Sequence, residues 1–204
     1  MPEIQQLPAA ETGTGGLTLA RIITELFAPT VLVGVLLLAQ PWLTSGVTLL
    51  QAATAAVFTV GLPFALVLVL KHRGTVTDHH VSVREQRAPI LVAAALSLGA
   101  GALLLALQDA PAALFGEIGG VFIGLVLCLL VNLAWKLSVH AAVAAYVALT
   151  LLAPVPLIGP ALALLLASSV GWSRIRLGAH TPGQVLAGHA VGCLAFVAAA
   201  LLLP

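Results

Sequence analysis

The sequence predicts an all-α polytopic membrane protein, a bundle of six to seven transmembrane helices, and three observations carry that expectation. Of its 204 residues, 61% are hydrophobic and 7% are charged, where soluble domains carry roughly 25% charged residues. Apolar runs recur along almost the whole chain, many at about the 20 residues that a helix needs to cross a bilayer. Mean hydropathy is +1.15, and the few ionisable residues gather at the ends of the runs instead of spreading over a surface.

The first stretch, 1–16, is polar, carries Glu3 and Glu11, and lacks the basic start and apolar centre of a cleavable leader. It is expected to lie outside the bundle, disordered or on the membrane surface, and 17–204 then forms a single transmembrane helical domain. Seven candidate segments follow, at about 22–40, 49–70, 90–108, 112–134, 139–153, 160–175 and 184–203. The fifth and sixth are short, which tilt or polar entry turns would accommodate. Brief connections rich in turn formers lie at 41–46, 109–111 and 154–160. Gly116, Gly120 and Gly124, and again Gly188 and Gly192, recur at intervals that let helix backbones approach closely. They are read as packing within the chain, although the same spacing would suit a homodimer seam. Cys128 and Cys193 lie in apolar runs without C-x-x-C or His/Cys spacing, so they are expected to pack as small hydrophobes.

Seven spans would put Arg21, Lys71, Arg73, Arg84, Arg87, Lys136, Arg174 and Arg176 on one side of the membrane, which is every Lys and Arg in the chain. By the positive-inside rule that side is cytoplasmic, and Trp42, Trp135 and Trp172 fall where interfacial aromatics belong.

Three polar islands lie on that side. The last, around 173–188, reads as a helix start, with Thr181 as N-cap, Pro182 at the first helical position and Gln184 completing a capping box. Arg174 and His180 stand in front of that helix N-terminus, a place suited to an anion. In the island at 77–89, helical spacing would put His80, Arg84 and Arg87 on one face. In the island at 135–141, Ser138 can cap the fifth segment and set Lys136 and His140 near its start. Each of these residues, taken singly, is most simply a snorkelling cation or a packed histidine. Their concentration at three junctions of one face, with the other face nearly bare, points to a shared anionic ligand. His189, deeper in the last segment, reads as a packed or hydrogen-bonded helix residue, and Glu117 falls near the opposite side.

Ser173-Arg174, five residues and His180, preceded by Ser138-Val139-His140 and by His80 seven residues before Arg87, resemble the three motifs of the type 2 phosphatidic acid phosphatase superfamily. That family of membrane lipid phosphatases is related to haloperoxidases. Its pattern is K-x6-R-P, then P-S-G-H, then S-R-x5-H-x3-D, and the resemblance covers about residues 70–195. This chain has His80 in place of the motif lysine, Ala88 between Arg87 and Pro89, Leu137 and Val139 around Ser138, and Gln184 in place of the final Asp.

The resemblance implies a phosphotransfer in two steps that needs no metal and no cofactor. His180 would be the nucleophile, and His140 would protonate the leaving lipid alkoxide and then activate water. Arg174 and Arg87 would hold phosphate oxygens, with Lys136, Arg84, Ser138, His80 and the Val139 N–H as further ligands. Gln184 would orient His180, and Asp78 or Glu85 would be the carboxylates to supply the missing charge. The implied substrate is a lipid phosphate or diphosphate, such as a polyprenyl phosphate or phosphatidate, at the cytoplasmic interface. Membrane lipids are the surroundings, and no nucleic-acid partner is expected. Two other readings start from the same residues: a lipid-phosphate binder or transporter without hydrolysis, and a membrane prenyl-diphosphate transferase or cyclase. The second usually requires Asp-rich metal sites.

Overall fold

The computed structural model describes residues 14–78, 81 and 83–202, with the side chains of Thr14, Arg84 and Leu202 outside the description. In chain order the elements are α1 (Thr14–Leu26), α2 (Pro29–Leu38), a short α3 (Gln40–Leu43), α4 (Leu49–Ala56), a π turn (Val57–Gly61), α5 (Leu62–His72), a 3-10 turn (Arg84–Gln86), α6 (Arg87–Leu107), α7 (Ala112–Ala134), α8 (Val139–Leu152), α9 (Gly159–Arg176) and α10 (Pro182–Leu202). No strand occurs among the described residues.

Among the described residues, four helices are long and apolar enough to cross a membrane: Leu49–His72, which runs through α4, the π turn and α5, then Arg87–Leu107, Ala112–Ala134 and Pro182–Leu201. The count becomes 5 if the bent pair α1–α2 is one span. Apolar α8 has 14 residues, about 21 Å at the helical rise, against a hydrocarbon core of about 30 Å. Leucines such as Leu96, Leu107, Leu164, Leu186 and Leu201 are exposed on the outside of the bundle, consistent with an integral membrane protein. Cys128 is buried as expected, whereas Cys193 points outward.

The first expected segment, 22–40, is not one helix. The chain bends by 41° between Leu26 and Pro29. Pro29 has no N–H to continue the ladder and disfavours helical backbone before it, and Ala28 is accordingly extended at φ −61°, ψ 148°. As a result α1 leaves the line of α2 and packs along α9.

Helix α8 is the centre of the bundle. It packs against α9 and α10 and also against α2, through buried alanines that include Ala141, Ala144 and Ala148. A Cβ at Gly188 would run into the Ser138 carbonyl, and one at Gly192 into the Ala142 carbonyl. The small residues of the last helix therefore serve a seam inside the chain, and that seam lays the start of α10 beside the start of α8. Gly120 and Gly124 likewise face Tyr146 and Ala195.

Side-chain bonds tie both ends of the bundle. At one end Gln51 Nε2 donates to the Gln108 carbonyl at 3.0 Å, and Gln108 Nε2 to Thr54 Oγ1 at 3.1 Å. The three polar junctions meet at the other end.

Candidate active site

The site is built around the turn from α9 into α10. Helix α9 ends at Arg176, and Gly178 takes the left-handed conformation at φ +66° that stops a helix at low cost. The amides of Ala179 and His180 then both donate to the Arg174 carbonyl, at 3.1 and 3.2 Å. That closure folds the chain back, so the five residues between Arg174 and His180 are one helix-terminating turn that returns the histidine to the arginine. The capping box forms as the sequence predicts: Gln184 N donates to Thr181 Oγ1 at 3.4 Å, and Thr181 N to Gln184 Oε1 at 3.2 Å.

His180 Nδ1 lies 3.1 Å from the same Gln184 Oε1. A backbone N–H only donates, so the atom that Thr181 meets is the amide oxygen, and that oxygen also accepts from His180. The proton of neutral His180 therefore sits on Nδ1, and Nε2 carries the lone pair. Capping and tautomer control are one interaction here, since one oxygen performs both.

The neighbouring junctions close around this turn. Lys136 Nζ donates to the Ala179 carbonyl at 3.1 Å. Ser138 N donates to the Gln184 carbonyl at 3.1 Å, which fastens the start of α8 to the first turn of α10. Ser138 Oγ caps α8 by accepting from Ala141 N at 3.3 Å, and His140 lies buried in that first turn. Arg87 joins the first junction to the second: its Nε donates to the Val81 carbonyl at 2.8 Å, and its Nη1 to Asn132 Oδ1 at 3.2 Å and to the Leu137 carbonyl at 3.0 Å. Arg174 is spent differently. It is 4% exposed, its Nη1 reaches Thr24 Oγ1 at 3.4 Å, and its buried Nε has no hydrogen-bond partner among the described residues.

Three cations thus converge on a histidine that is 7% exposed. Burial, then the charges of Arg174 and Arg87, push the His180 imidazole from its ordinary 6.5 down to about 4, with the Gln184 bond opposing them. Burial and the same two arginines hold the Lys136 ammonium below its usual value, with Asp78 opposing. His180 is therefore neutral at physiological pH, the state a nitrogen nucleophile needs. A titration of 13C-labelled imidazoles, assigned through His180→Ala, is expected to place its midpoint near pH 4. Inorganic phosphate is expected to raise that midpoint, because an anion favours imidazolium; a midpoint at the ordinary histidine value would contradict this electrostatic picture.

The structure brings together His180, His140, Gln184, Arg174, Arg87, Lys136 and Ser138. His80 lies outside the described residues, and so does the Arg84 side chain. The continuous helix that would align them with Arg87 does not form: Val81 has φ 48°, a 3-10 turn spans Arg84–Gln86, and α6 begins only at Arg87. Asp78 acts on Arg87, Lys136 and Arg174, and Glu85 on Arg87, whereas the groups that act on His180 are cations and Gln184. His189 bonds the Ala167 carbonyl at 3.0 Å, as a packed helix residue should. Asn132 was not anticipated, although a lone amide at the end of an apolar run was a visible signal. Thr24 gave no signal, because its place depends on how α1 packs.

A cavity of about 420 Å³ lies in the bundle and touches the site at Arg87 and His140. Among the described residues it meets these two and Glu25, and not His180, Arg174 or Lys136; most of its other walls are apolar, with Leu91, Leu125, Val143 and Tyr146. No protein family, curated protein or solved structure matches this chain.

Proposed function

We propose that the chain is a multi-pass membrane lipid phosphatase, a variant of the type 2 phosphatidic acid phosphatase pattern with six to seven passes and its site at the cytoplasmic face. The observation that carries this reading is His180, neutral, with Nδ1–H directed to Gln184 and Nε2 unprotonated, in a buried setting with Arg87, Arg174 and Lys136 nearby.

In this reading the Nε2 lone pair attacks phosphorus, and the bond from phosphorus to the lipid oxygen breaks. His140 gives its proton to the departing alkoxide, which leaves a phosphohistidine. Water then attacks, His140 takes the water proton, and inorganic phosphate departs with His180 neutral again. The cations hold the phosphoryl oxygens throughout. The cavity supports the assignment of roles: an in-line displacement puts nucleophile and leaving group on opposite sides of phosphorus. The cavity suited to a lipid tail meets His140, the proton donor to the leaving group, and not His180.

One observation favours a second reading, lipid-phosphate binding without turnover: the position that would hold a carboxylate is Gln184, and the groups acting on His180 include no acid. The purified protein with a panel of lipid mono- and diphosphates separates the two. Release of inorganic phosphate, with an acid-labile, base-stable phosphoprotein trapped on brief incubation, is the expected result. Saturable binding with neither product would reject the phosphatase in favour of the binder.

A further inference from the structure

We propose that Thr24 of α1 is a positioning residue for Arg174, so that the site has a fourth component, outside the three polar junctions. The proposal rests on the phosphatase reading only for the identity of the ligand.

Hydrogen-bond polarity fixes the direction of the contact. Ser173 Oγ donates its one proton to the Val170 carbonyl at 2.7 Å. Toward Thr24 Oγ1, at 3.0 Å, the serine oxygen is then the acceptor, so Thr24 O–H donates to it. With that proton committed, Thr24 Oγ1 turns its lone pairs to Arg174 Nη1, 3.4 Å away. The result is a one-way chain from guanidinium to Thr24, Ser173 and the backbone of α9. Arg174 Nε is meanwhile buried without a hydrogen-bond partner among the described residues, so the guanidinium is held by one edge and keeps donor capacity for an anion.

The placement of α1 supports the assignment independently. Gly16, Ala20 and Thr24 recur every fourth residue and so form one stripe. The position of a Cβ on Gly16 lies 3.5 Å from the Arg176 guanidinium, Ala20 is fully buried, and Thr24 is 2% exposed. The bend before Pro29 is what lets this stripe lie along α9. Glu25, the next residue, lines the same cavity as Arg87 and His140. A threonine at the lipid-facing side of α1 would do none of this.

The test compares Thr24→Val, Thr24→Ser and Ser173→Ala in the full chain. It reads steady-state hydrolysis of the best lipid phosphate, the inhibition constant of inorganic phosphate, and thermal unfolding. Thr24→Val keeps shape and removes the acceptor. It is expected to lower kcat/KM and weaken phosphate inhibition by about 10- to 100-fold, the worth of a hydrogen bond to a charged group, with a midpoint close to that of the parent chain. Thr24→Ser is expected to restore both to within about threefold. Because the hydroxyls act in series, adding Ser173→Ala to Thr24→Val should cost little more than Thr24→Val by itself. Wild-type phosphate inhibition in Thr24→Val, or full additivity in the double variant, overturns the proposal. If Thr24→Val does not fold, Ser173→Ala decides, since unchanged phosphate inhibition in that variant also overturns it. If the parent chain hydrolyses no lipid phosphate, inorganic phosphate binding followed by the His180 imidazole signal still reads the Thr24 effect, so failure of the enzyme reading and failure of this one are told apart.

Discussion

His180→Ala is expected to reduce phosphate release from the preferred lipid phosphate by at least about 10³-fold, as loss of a covalent nucleophile does in other two-step hydrolases. Binding of the lipid should survive, because Arg174, Arg87 and Lys136 remain, and the trapped phosphoprotein should vanish. Rates equal to those of the parent chain would remove His180 as nucleophile. Gln184 is tested on the same assay. Gln184→Glu keeps an oxygen for both Thr181 N–H and His180 Nδ1–H, and it adds charge that favours the cationic imidazole formed during attack. A rise of about 10- to 100-fold is expected, a fraction of the roughly 10⁴ seen when a triad carboxylate is neutralised and the tautomer is lost as well. Gln184→Ala loses the tautomer lock together with the reciprocal bond of the capping box, a hydrogen bond worth about 1 kcal/mol, so it should lower both turnover and stability. A Gln184→Ala variant with unchanged phosphate release would show that the capping role is the whole role.

The second large effect separates two arginines that sequence spacing treats alike. Arg87 spends Nε and Nη1 on Val81, Asn132 and Leu137, so it fastens the first junction to the end of α7 and the entry of α8. Arg87→Ala leaves three acceptors without that donor and is expected to cost on the order of 3 kcal/mol or more, since bonds to a charged group are worth about 1.5–3 kcal/mol each and are not additive. Arg174 makes one long bond to Thr24, and its buried Nε has no hydrogen-bond partner among the described residues. Arg174→Ala should lower kcat by about 10²- to 10³-fold, as removal of one transition-state donor does, with a smaller loss of stability. Unfolding in detergent and phosphate release on the same samples give both numbers. Equal stability losses in the two variants would refute the division of labour.

Much of the site was legible because its parts are local. The Thr181–Gln184 capping box and the Ser138 cap are short-range patterns, and both form. The helix-stopping glycine makes the spacing from Arg174 to His180 a single turn. The island at 77–89 is less legible, because helical spacing assumes a continuous helix that a left-handed Val81 and a 3-10 turn interrupt. Hydropathy runs unbroken through Pro29, because it averages over a window and does not register a single missing N–H.

By itself the sequence determined that the chain is helical and apolar, where its junctions fall, and that histidines and cations concentrate at those junctions, because composition and capping act within a few residues of the chain. The tertiary structure decided what each residue is spent on. It showed one Gln184 oxygen serving as cap and tautomer lock, Arg87 as a fastener, Arg174 bonded to Thr24, and Thr24 brought onto α9. The Gln184 contacts span only three and four residues, but those of Arg87 with Asn132 and of Arg174 with Thr24 join helices 45 and 150 residues apart, and side-chain hydrogen bonds of that range leave no periodic trace in a sequence.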